Sequence, residues 1–163
     1  MNDDIQQSPE SLDERYDLVC TELTQTEQRS LVLHLLYVLY AFDYDMSVEA
    51  VADMFNRGFG IEIPRDSAVF LQTASISQDR ELLDQMILPL IENWNLERLG
   101  VITRLILQLS LWELKNTSID SAVIINEAIE LAKCFAEKDS YKFINGVLDE
   151  YVKHHREKEE TLL

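Results

Sequence analysis

The sequence predicts an all-α fold, a compact helical domain of about seven helices. Three observations lead there. Apolar residues recur at three- and four-residue spacing through most of the chain, as in the adjacent rows Ile125, Ile129, Ala132, Ala136 and Ile124, Ala128, Leu131, Phe135. Helix-start signals stand ahead of these rows, such as Thr24-Gln25-Thr26-Glu27. No segment alternates apolar with polar residues for long, so strands are not expected.

Taken in order, residues 1–23 are an acidic lead-in. Ser8-Pro9-Glu10 puts proline at a first helical position, and Leu12, Tyr16, Val19, Cys20 and Leu23 then share one face. This predicts a short amphipathic helix over 9–23, docked on a domain of residues 24–155, with a charged tail at 156–163. The capping box at Thr24 to Glu27 opens a helix whose body, Leu31 to Phe42, is apolar nearly all round and is expected to be buried. Asp45 or Ser47 caps a short helix through Val48, Val51, Ala52 and Phe55, ended by Gly58. A further helix follows Pro64, through Val69, Phe70, Thr73 and Ala74. Ser77, with Asp79 and Glu81 in the next turn, is expected to cap a separate long helix kinked at Pro89.

From about Leu99 to Lys115 the rows Ile102, Leu105, Ile106, Leu109 and Leu107, Leu111, Leu114 leave only Arg104, Gln108 and Lys115 as a polar stripe. That predicts a second central helix. The helix carrying Ile124 to Ala136 stops at Glu137-Lys138, and Asp139 or Ser140 caps the next, with Phe143, Ile144, Val147, Leu148 and Tyr151 on its apolar row. The row runs through Asn145-Gly146, which places Gly146 inside the helix. Such a glycine costs about 1 kcal/mol relative to alanine, and the usual reason for one is close approach of another backbone or a ligand.

A length of 163 residues suits one domain, and 47% hydrophobic content is enough for a core. Cys20 and Cys134 have no metal-like spacing and read as unpaired thiols. The opening MNDDIQQSPE lacks an apolar stretch, so no secretory signal is expected. The run Leu31 to Phe42 is interrupted by His34 and is too short to span a bilayer. A soluble, cytoplasmic protein is expected. The formal charge is −16, from 30 acids against 14 bases, which opposes non-specific nucleic-acid binding at long range. Screening confines that field to about 8–10 Å, so a local basic patch can still act.

No catalytic constellation emerges. His34 lies amid leucines and reads as a partly buried, packed histidine. His154 and His155 are adjacent and would point about 100° apart on a helix, a poor metal pair. Gly58-Phe59-Gly60 has no strand ahead of it and reads as a tight turn. There is no Cys/His ligand set, Walker loop or serine elbow. Binding, without cofactor or metal, is the expected class of function.

INEAIELAK, a short break, then DSYKFINGVLD closely resembles the C-terminal signature of the NusB family of transcription antitermination factors. Upstream, Leu82 to Leu114 resembles the family's central pair of helices, with Pro89, Trp94, Leu96, Arg98, Leu99, Arg104, Glu113 and Leu114 in family positions. The resemblance extends from Thr24 to Val152. It implies a NusB-like fold and a single-stranded boxA-like RNA as ligand. It also implies a ribosomal small-subunit protein, which doubles as elongation factor NusE, bound alongside in a transcription elongation complex on ribosomal RNA operons. Some family members self-associate, so a homodimer is a further implied state.

In the family, an arginine-rich start of the first core helix and the C-terminal signature contact RNA. Carried over by position, the resemblance assigns RNA binding to Arg29 and to Lys138, Asp139, Ser140, Lys142, Phe143 and Asn145. Phe143 also continues the apolar row, so base stacking and core packing both stand open for it. Where the family has its arginines this chain reads Gln25-Thr26-Glu27-Gln28-Arg29, and only Arg29 remains. Arginines there oppose the helix dipole by some tenths of a kcal/mol each, whereas a capping box is what stability alone would select. Thr103 stands where the family commonly has an acid facing the NusE partner, and with Arg104 it marks the expected protein contact. Three readings follow: a divergent antitermination factor whose RNA affinity depends on its partner, a NusB-fold protein–protein adaptor, and a self-associating form.

Overall fold

The structure, a computed structural model, describes residues 18–161, with side chains through His155. Two extended residues, Leu18–Val19 (β1), lead into a 3-10 turn at Cys20–Glu22. The helices are Gln25–Ala41 (α1), Val48–Phe59 (α2), Ala68–Ile87 (α3), Val101–Asn116 (α4), Ser121–Phe135 (α5) and Ser140–Thr161 (α6). A second short strand, Ile61–Glu62 (β2), follows α2, and 3-10 turns at Leu88–Leu90 and Leu96–Arg98 connect α3 to α4. The described residues thus form six α-helices, an all-α fold as the periodicity predicts.

α4 is the axis. It packs against α1, α3, α5 and α6. Leu105, Ile106, Leu107, Leu109 and Leu111 are at most 1% exposed, and even Gln108 of the polar stripe and Ser110 are buried. α1 gives Leu31, Val32, Leu33, Leu35, Leu36 and Leu39 to the same core. It is not buried all round, however: His34, Tyr37 and Ala41 face outward. His34, expected among leucines, turns its ring away from them onto the edge of Phe135, 5.0 Å between centroids, with Nδ1 2.6 Å from the Ser30 carbonyl.

The capping box forms as written in the sequence. The Glu27 amide donates to Thr24 Oγ1 (3.3 Å), and Glu27 Oε2 accepts from the Thr24 amide and hydroxyl (2.8 Å each). Those bonds, the backbone one foremost, hold the Glu27 carboxyl below its ordinary pKa. Thr24→Ala should therefore lower the unfolding free energy by about 1 kcal/mol, read as a shift in urea midpoint at constant slope.

Four local expectations are corrected. A helix reaching residue 23 is replaced, over the described part, by β1 and a 3-10 turn. Leu18 and Val19 pair in parallel with Ile61 and Glu62, and the Leu18 amide donates to the Gly60 carbonyl (2.9 Å). Leu12 and Tyr16 lie outside the described residues. Ser77 caps nothing, because Ser67 already accepts from the Phe70 amide (3.2 Å) and no breaker interrupts Ala68–Ile87. The serines on that helix are used sideways: Trp112 Nε1 donates to Ser75 Oγ (2.9 Å). Pro89 does not kink a helix but sits in the 3-10 turn that ends α3. Gly146 is helical, yet a Cβ there would meet nothing within 4 Å, so it admits no neighbouring backbone.

Candidate functional site

α5 ends at Phe135 and the chain reverses through residues 136–139 into α6. The reversal needs a left-handed residue, and Asp139 supplies it at φ 68°, a conformation that aspartate tolerates better than most residues. The Ser140 amide then donates to the Glu137 carbonyl (3.1 Å), and the Lys142 amide to the Asp139 carbonyl (3.1 Å). This corner brings Lys138, Asp139, Ser140, Lys142, Phe143 and Asn145 into one region. Lys142 Nζ lies 3.3 Å from Asp139, whose hydrogen bond and charge raise the lysine's pKa.

Phe143 is half-buried and packs against Trp94, 5.6 Å between centroids with the rings tilted by 55°. Trp94 is 61% exposed. These two aromatics line two cavities. One, of about 470 Å³, continues over Pro89, Ile91, Lys142 and Gly146. The other, of about 290 Å³, is lined by Arg98, Gly100, Thr103 and Lys138. The missing side chain of Gly146 therefore leaves the first cavity open. Lys138 and Lys142 lie on different cavities, with the aromatic pair between them.

Trp94 and Arg98 were not assigned by position to binding, although Trp94 carried a legible signal. It is a large aromatic within Glu92-Asn93-Trp94-Asn95, a polar stretch with no apolar row to join.

The other three assigned residues are spent elsewhere. Arg29 is 6% exposed, and its Nε donates to Glu113 Oε1 (2.9 Å) and Oε2 (3.1 Å), with Glu127 at 3.8 Å from Nη1. Its charge ties α1, α4 and α5 together inside the protein and faces no solvent. Burial, and secondarily the nearby Glu127, push the Glu113 carboxyl up against the opposing pull of Arg29. Thr103, expected on a partner-facing surface, is 3% exposed. Arg104 Nε donates to Asp84 Oδ1 (3.0 Å) and its Nη2 to Asp84 Oδ2, bridging α4 to α3, and Gln108 Nε2 donates to the same carboxylate (2.8 Å).

Among the described residues no three His, Cys, Asp or Glu side chains are grouped to hold a metal. No described helix is long and apolar enough to cross a membrane. The cysteines are free, Cys20 buried and Cys134 exposed.

Comparison with known proteins places this fold in a family. A family model described as "NusB family" matches residues 26–153. The transcription antitermination protein NusB of Macrococcus caseolyticus is 38% identical over 132 residues, 81% of this chain and 98% of that protein. The protein of the same name from a Nitratiruptor species is 36% identical over 137 residues, 80% of this chain and 92% of that one. A solved structure of T. maritima NusB superposes with a TM-score of 0.67 at 28% identity, covering 86% of this chain and 99% of that one. With the match running from the capped start of α1 into α6 and nearly spanning its relatives, the chain belongs to the NusB family.

Proposed function

We propose that this protein is a divergent antitermination factor that binds single-stranded boxA-like RNA at the α5–α6 corner, weakly by itself. It does so alongside the ribosomal small-subunit protein NusE, in an elongation complex transcribing ribosomal RNA. The observation that carries this reading is exposed Trp94 packed on half-buried Phe143, with Arg98, Lys138 and Lys142 around the pair. An accessible aromatic face takes any base by stacking, worth about 1–3 kcal/mol per base. The cations reach phosphates on either side. Asp139, Ser140 and Asn145 add polar groups at the same corner.

Two facts support weak binding without the partner. The formal charge of −16 repels RNA at long range, and Arg29 is committed to Glu113. With Arg98 taking the place of Arg29 in the count, about three phosphate contacts remain, and log K should fall with log salt at a slope of about −2.

Fluorescence anisotropy of a labelled boxA-like RNA, titrated with and without NusE, tests the reading. Trp94→Ala and Phe143→Ala should each weaken binding by about tenfold. Lys138→Gln with Lys142→Gln should flatten the slope toward about −0.7. NusE should tighten the wild-type complex. Affinity indifferent to all four substitutions would take RNA off this corner. It would favour the protein–protein adaptor, a reading that already has the internal Arg29 and the intact capping box on its side.

A further inference from the structure

Thr103 is 3% exposed, and its Oγ1 has no hydrogen-bond partner among the described residues. It lines the cavity of about 290 Å³ at the N-terminus of α4, where Arg98 and Lys138 stand beside two acids, Glu137 and Asp139, the latter paired with Lys142. α4 is sixteen residues long and begins after Gly100, which offers no side chain to cap it. The first-turn amides of a helix have no acceptor within it, and the helix dipole adds partial positive charge at the same end. A helix N-terminus, two cations and an unpaired hydroxyl together fit an anion.

The protein already places one there. The Glu137 carboxylate lies over Gly100 so closely that a methyl group on Gly100 would collide with it. Gly100 has φ −57° and ψ 142°, which any residue adopts, so what a side chain here would have to move is the end of the flexible Glu137 side chain. Glu137 is an exposed residue, and among the described residues its carboxylate accepts one side-chain bond, a long one from Ser140 Oγ (3.4 Å). Among the described residues no ion pair and no amide of the helix start fixes this carboxylate, which leaves it displaceable.

We propose that this cavity is a subsite for a phosphate-class anion, which Glu137 occupies as an internal stand-in when the protein is free. A phosphodiester of the bound strand displaces the carboxylate, takes the first-turn amides and accepts from the Thr103 hydroxyl, while Arg98 and Lys138 flank it. Glu137 is thus a built-in competitor that lowers affinity until the incoming anion outweighs it. The source of the anion rests on the RNA reading above; the site itself does not.

Two probes keep these apart on the full chain: inorganic phosphate followed by the amide resonances of Val101, Ile102 and Thr103, and labelled single-stranded RNA followed by anisotropy. Glu137→Gln should bind RNA about fivefold tighter at low salt, the scale of one charge at a helix end. The same variant should bring the three amides to saturation at lower phosphate concentration than wild type. Adding Thr103→Val should reverse both gains with the circular dichroism unchanged. Glu97→Gln removes one exposed charge nearby without touching the cavity and should gain much less. Equal gains from Glu97→Gln and Glu137→Gln would mean a net-charge effect and overturn the subsite, as would amides 101–103 that ignore phosphate in Glu137→Gln. If no variant binds RNA while those amides still respond to phosphate, the anion site stands and the RNA reading falls.

Discussion

Arg29→Met is expected to destabilise the fold by about 3–5 kcal/mol, the scale for stripping one partner from a buried ion pair. The substitution keeps most of the side-chain volume but leaves Glu113 and Glu127 facing each other without a cation. The penalty should depend on pH, and its sign follows from Glu113. Burial already raises that carboxyl above its ordinary value, so the folded state holds the proton more tightly than the unfolded one. Its contribution to stability is complete below the ordinary carboxylate range and is lost as pH rises through the folded value. Removing Arg29 takes away the pull that opposes burial and moves the folded value higher still. The variant should be weakest near about pH 8 and recover part of the loss near about pH 5, in urea midpoints compared with wild type. Adding Glu113→Gln should restore stability at high pH, since the buried charge is gone. An Arg29→Met protein as stable as wild type at high pH would mean the guanidinium contributes nothing to holding the three helices together.

Leu107→Ala should cost about 2–5 kcal/mol, the range for a large aliphatic side chain truncated in a rigid core. Leu107 is 0% exposed on the helix that touches α1, α3, α5 and α6, so no single neighbour can relax into the space. Chemical denaturation gives the loss directly. A near-zero shift in midpoint would place α4 at the periphery. Leu107→Met, which nearly conserves volume, should cost less than about 1.5 kcal/mol and separates packing from hydrophobicity.

α4 was legible because its apolar rows cover almost the whole circumference, and only the centre of a helical domain accommodates such a helix. The corner at 136–140 was legible because its residues are contiguous: the register of α5 stops, an N-cap candidate follows at Asp139 or Ser140, and a new row starts, while the left-handed backbone of Asp139 left no mark in the sequence. Position alone misled at Arg29, whose partner Glu113 lies 84 residues away in sequence. Nothing near residue 29 announces that acid. Thr103 misled for a related reason. It lies between the apolar rows of α4, and its burial depends on how the 136–140 segment folds back over the helix start. Ser77 and Ser67 offer the same cap chemistry, and the choice fell to the serine that follows Pro64 rather than one deep in a helical register. β1 is two residues long, too short for any alternation to show.

The dependence of α1 on α4 also bears on how the chain is made. α1 leaves the ribosome with its leucine face bare, and the helix that covers that face is completed only about 75 residues later. At about 5–20 residues per second this interval lasts roughly 4–15 s. α2 and α3 emerge within that interval and can pack on part of the face, but the share that α4 covers stays bare and Arg29 has no counter-ion from Glu113. The capping box at Thr24, like the bond between His34 and the Ser30 carbonyl, needs only residues already synthesised and can form from the outset.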